Sequence, residues 1–284
     1  MPRWGVKALA VGPGLVISTV VIWLVDAVLP PAAGAALSVG ALAVAATLAL
    51  GGAEAAAVAV LLTARRLRPY ERADLAPVLT LLCRASLGPP IIDLRVRRGR
   101  AIGAAGIGRR TVVVTTGLLE AVADGDLPPD QAAAVIAHAA TLVRAGLVRS
   151  DPLIGSWSLP WHLLHTVAEA VARFGRQLPF TALVWRLRAV VITMAIVQSV
   201  QQGHPGLAAV IATIGAVSYA MPAWQRHWQT MLITTGDRGL SQAGFAPAMA
   251  AFLRRCRATD TTRARLRALQ VAQRPAPVLG LVTR

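Results

Sequence analysis

Charge is scarce in this chain. Only 15% of its 284 residues are Asp, Glu, Lys or Arg, against about a quarter in an ordinary soluble domain. Carboxylates are the scarcer sign, 13 against 29 basic residues, for a net charge of +16. Cysteine is almost absent. Cys83 and Cys256 stand far apart, which excludes a disulfide framework and a cysteine-based metal spacing. Aromatic residues are 5% of the chain, and the arginine-rich stretches lack the interleaved aromatics of a nucleic-acid surface. Nucleic acid is therefore not an expected partner. Attraction to an anionic membrane leaflet accounts for the arginines more simply.

What is abundant is apolar. Hydrophobic residues are 55% of the chain and the mean hydropathy is +0.58. Residues 8–29 contain a single charge, Asp26, near the far end. About 20 apolar residues cross a bilayer as a helix, and this stretch is too long for a signal-peptide core, so a retained anchor is expected. Pro30-Pro31 breaks the chain, and a second apolar block fills 32–62. A membrane helix over roughly 34–53 is predicted, continuing as an Ala-rich helix with Glu54 at a solvated helix end near the interface. Two shorter apolar segments, 189–200 and 207–222, flank the turn residues His204-Pro205-Gly206. They predict a hairpin of short membrane helices, with Arg186 and Arg188 snorkelling at its start; partial insertion is the alternative. Trp157, Trp161 and Trp185 precede it, as in an interfacial helix.

The arginines are unevenly distributed. Residues 64–158 carry 13 Arg and 8 acidic residues, and 223–284 carry 10 Arg against Asp237 and Asp260. The links around 30–33 and 201–206 have no Lys or Arg. The positive-inside rule then places both termini and the soluble region in the cytoplasm, and the chain as a multi-pass protein of the cell inner (plasma) membrane.

Within the soluble region, 71–87 reads as an amphipathic helix with Leu75, Val78, Leu79, Leu81 and Leu82 on one side. Residues 91–96 alternate as a strand, and the β-branched run 111–116 reads as a buried one. The glycine-rich stretch between them predicts a hairpin with a middle strand near 100–105. Its glycines lie between strands, without the strand–glycine–helix order of a phosphate loop. A helix then begins at 128–130, with Asp130 suiting its first turn.

That helix reads PPDQAAAVIAHAATLVRA. In a His-Glu-x-x-His zinc helix, two imidazoles stand at i and i+4 on one face and the glutamate between them is the general base. Here the frame is His138, Ala139, Ala140, Thr141, Leu142. Residues 111–142, with TTGDRGLSQAG at 234–244, resemble the HtpX-like membrane zinc metallopeptidases, whose wider relatives are the CAAX prenyl proteases. The resemblance implies a first zinc ligand at His138, the base position at Ala139, the second ligand position at Leu142 and the glutamate ligand position at Ile233. Asp237 matches the family's Asp-Arg pair, the aspartate of which supports a ligand histidine. One of three ligands therefore remains and the base is gone. Catalytic zinc needs three protein ligands and an open position, so no zinc or other cofactor is expected, and His138 is expected to bond Asp237 as a remnant.

The fold class expected is a mainly α membrane protein with about four membrane helices and a small α+β cytoplasmic metallopeptidase-like domain. Its parts are two N-terminal spans (1–63), the α+β region with the degenerate zinc helix (64–156), the interfacial helix and hairpin (157–222), and a C-terminal helix with an Arg-rich tail (223–284). The resemblance also implies that the strand Val112, Val113, Val114, Thr115 and Thr116 offers an exposed edge to extended peptide. That suits a scaffold or peptide-binding subunit in the lipid bilayer, pairing with an active membrane peptidase. Two alternatives stay open. One is an active zinc peptidase with relocated ligands, His138 joined by His162 and His165; the other is a purely structural membrane protein.

Overall fold

The computed structural model describes residues 3–89, 91–175 and 181–272. In chain order its elements are α1 (Arg3–Val28), α2 (Pro31–Leu50), α3 (Glu54–Leu61), β1 (Arg65–Arg66), α4 (Pro69–Asp74), α5 (Ala76–Arg84), β2 (Asp93–Arg97), β3 (Ala104–Ile107), β4 (Thr111–Thr115), α6 (Thr116–Ala123), α7 (Pro129–Arg144), α8 (Asp151–Trp157), α9 (Leu159–Gly175), α10 (Thr181–Gln201), α11 (Pro205–Gln242), α12 (Ala246–Arg255) and α13 (Asp260–Ala272). They form two compact units. One comprises Met1–Ala46 with Leu153–Thr230, and the other Thr47–Pro152 with Met231–Arg284.

The first unit is helical. Among the described residues, α1, α2 and α11 are long and apolar enough to cross a membrane, and Ala189–Gln201 is a shorter apolar helical stretch. The protein is thus a mainly helical chain with apolar helices of membrane-spanning length. Helix α9 packs on α1, where Ser18 Oγ accepts from the backbone N–H of Trp161, and Trp157 Nε1 donates to Thr19 Oγ1 at 2.9 Å. A Cβ at Gly14 would lie 3.1 Å from the Trp161 ring, so the missing side chain lets the indole reach the α1 backbone. Small residues serve this purpose where apolar helices meet. Helices α10 and α11 are joined by a turn at Gly203 (φ +74°), and Gly215 lies against Ile192; α11 runs on to Gln242, well past the short segment expected at 207–222. Pro222 sits inside α11 without ending it.

The second unit carries a four-stranded sheet in the order β1-β2-β4-β3. Strand β4 is buried along its whole length. It pairs parallel with β2 and antiparallel with β3. One sheet face packs on α3 through Val113, Val58, Ala64 and Ile107. On the other face α7 runs so close to β3 that a Cβ at Gly106 would stand 2.6 Å from the Ala139 carbonyl oxygen.

Two expectations fail here. The second apolar block is not one continuous helix, because Gly51 (φ +88°) and Ala53 (φ +51°) break it between α2 and α3. Nor is Glu54 a solvated helix end. Its Oε1 accepts from the backbone N–H of Arg109 at 2.9 Å and of Arg110 at 3.4 Å, and from Thr111 Oγ1 at 3.1 Å. The carboxylate thereby collects the donors left open by the β3–β4 turn. Residues 71–87, read as one helix, are divided at Leu75 into α4 and α5, with Leu75, Val78 and Leu82 buried.

Candidate functional site

Helix α7 buries Ala137, Ala139, Ala140 and Leu142. Its small residues let the C-terminal part of α11 approach closely. Gly236 meets the His138 ring, where a Cβ would stand 2.6 Å from Nδ1 and 2.7 Å from Nε2. One turn on, a Cβ at Gly239 would stand 2.8 Å from Thr141 Cβ. Thr141 Oγ1 donates to the carbonyl of His138 at 2.8 Å and approaches that of Gly236 at 3.3 Å. Glycine in a helix interior costs about 1 kcal/mol relative to alanine. Two of them three residues apart in α11 are what lets the two helices cross here.

Asp237, buried on α11, closes the arrangement. Its Oδ1 lies 3.1 Å from His138 Nδ1, without the alignment of a hydrogen bond. Arg265 of α13 grips the same carboxylate with both prongs, Nε to Oδ2 at 2.9 Å and Nη2 to Oδ1 at 2.6 Å. Asp237 lies beyond the first ~20 residues of α11, the length of one membrane crossing, in the part of the helix that belongs to the sheet-bearing unit. Burial pushes its carboxyl up, but His138 and Arg265 outweigh that and hold it below the usual carboxylate range. Such a fork satisfies both oxygens and fixes the charge. Arg265 has no motif signal, being 28 residues from its partner.

The predicted frame can now be placed. His138 and Asp237 come within 3.1 Å of each other, without the hydrogen bond expected between them. Ala139 and Leu142 are buried apolar positions on α7, and Ile233 stands one turn before Asp237 on α11. None of the three offers a donor atom to a metal. His162 and His165 are exposed on α9, in a different unit from His138, and the His165 ring lies 5.7 Å from that of Trp161. Among the described residues no group of three or more His, Cys, Asp or Glu side chains could share a metal ion. The residues at the frame do not fit catalytic zinc. One imidazole remains, and the nearby carboxylate is already held by a guanidinium.

The peptide-binding expectation needs correction. Val112, Val113, Val114 and Thr115 lie in the interior strand β4, with neighbours on both edges. They have no exposed edge to offer. Thr116 is the first residue of α6, and Thr115 Oγ1 caps that helix by accepting from Leu118 N–H. The edge beyond β4 belongs to β3. Thr115 N–H donates to the Gly103 carbonyl, so by antiparallel alternation Ala105 and Ile107 face β4, and Ala104 and Gly106 direct their backbone groups outward.

Comparison with protein-family models, curated proteins and solved structures finds no match.

Proposed function

We propose that this chain is a catalytically inactive membrane relative of the HtpX-like zinc metallopeptidases, serving as a scaffold or peptide-binding subunit. In this reading four helices cross the inner membrane and both termini, with the sheet-bearing region, are cytoplasmic. The observation that carries it is the crossing of α7 and α11. His138 and Asp237 meet there as a first ligand and its supporting aspartate would, while Ala139, Leu142 and Ile233 fill the remaining positions. Without three ligands no zinc-bound water can be brought toward a pKa near 7. Loss of the general base alone removes about 10²–10⁴-fold. A peptide partner would add to the outer edge of β3 rather than to β4, at the half-buried Ala104.

The test is proteolysis by the detergent-purified full chain, with casein as substrate and zinc added. No cleavage above a no-protein control is expected, and His138→Ala should behave identically. Cleavage that disappears in His138→Ala would contradict the proposal.

A further inference from the structure

We propose that α3 is a foot on which the sheet-bearing unit rests against the bilayer, its outer face lying among the lipid headgroups. The inference is independent of the peptidase reading. Three observations carry it.

First, α3 is apolar all round. Beyond Glu54 its sequence is AAAVAVL. Val58 packs into the sheet and is 1% exposed, whereas Val60, on the opposite side, is 75% exposed. Ala56, one turn earlier on that side, is exposed too. A water-facing helix side would ordinarily carry charge.

Second, this face continues directly from an apolar helix of spanning length. Helix α2 ends at Leu50, and only Gly51, Gly52 and Ala53 separate it from α3. Just past an apolar helix of spanning length the chain therefore turns and presents more apolar surface.

Third, the junction is braced. Arg109 Nη2 donates to the Ala49 carbonyl in the last turn of α2 at 2.9 Å, while its backbone N–H donates to Glu54 Oε1. A cation suits a helix C-terminus. The guanidinium also packs on Gly51, where a Cβ would stand 2.6 Å from Nη1. The end of α2, the start of α3 and the β3–β4 turn are thus tied together. An apolar helix side left exposed next to an apolar helix of spanning length, with a guanidinium at its margin, suits contact with a lipid surface. The occupant of that face is the lipid surface, with anionic headgroups near Arg109.

The experiment uses the full chain with Cys83→Ser and Cys256→Ser, a single cysteine at Val60, Ala56 or Asp126, and a nitroxide label on each. The proteins are reconstituted into phosphatidylethanolamine–phosphatidylglycerol vesicles. Asp126, an exposed residue of the α6–α7 turn, gives the aqueous reference. The ratio of collision rates with oxygen and with a water-soluble nickel chelate is expected to be several-fold higher at Val60 and Ala56 than at Asp126. Both substituted positions are outside the core, so folding is retained and checked by monodisperse elution. Ratios equal to that of Asp126 at either position overturn the proposal.

Discussion

Gly236→Ala is expected to lower the unfolding temperature by several degrees. The added methyl would stand inside contact distance of three atoms of the His138 ring. That ring cannot swing away freely, since its own helix is buried against β3 and its Nδ1 faces Asp237. Overpacking of this kind costs roughly 1–3 kcal/mol, at about 2–4 °C per kcal/mol for a chain of this size class. Thermal unfolding of the detergent-solubilised protein measures it. Removing the ring should relieve the clash, so His138→Ala with Gly236→Ala should lose less than the two single losses combined. Strictly additive losses would mean that α7 and α11 do not cross at these residues.

Asp237→Ala is expected to cost more, about 3–5 kcal/mol, because it leaves the Arg265 guanidinium largely buried and unpaired. Arg265 is 19% exposed on its side chain and Asp237 9%, so solvent offers little replacement. The loss should depend on pH. A carboxyl whose folded pKa is depressed contributes stability fully present above its unfolded value, near 3.9. That contribution is lost as pH falls through the depressed folded value. The gap between wild type and Asp237→Ala is therefore full at neutral pH and closes in acid. Replacing both Asp237 and Arg265 by alanine should cost less than Asp237→Ala alone. A gap that persists unchanged in strong acid would show that Asp237 acts through packing rather than charge.

Much of this arrangement was readable in advance, and the failures have physical causes. Helix α7 was legible from Pro129, Asp130 and its alanine-rich run. The His138–Asp237 meeting was legible only through the family spacing, since the two are remote in sequence. Strand β4 was recognised as buried, yet was expected to have a free edge. A run of β-branched residues buried on both faces is also the signature of an interior strand. The β3 hairpin hides this, because it follows β2 in sequence while β2 pairs with β4 instead. Glu54 was misread because its local surroundings are apolar and helical, whereas its partners lie 55 to 57 residues on. Arg265 is one arginine among many in a basic tail, and only tertiary structure singles it out. Long-range polar pairing leaves no period in a sequence.

The most direct test of the central claim is the zinc content of the full-length protein, purified in detergent beside a His138→Ala variant. The account predicts well under one equivalent of zinc in both, with no difference between them. Stoichiometric zinc in the wild type that disappears with His138 would contradict it, and would mean that the chain completes a metal site with ligands other than Ala139, Leu142 and Ile233.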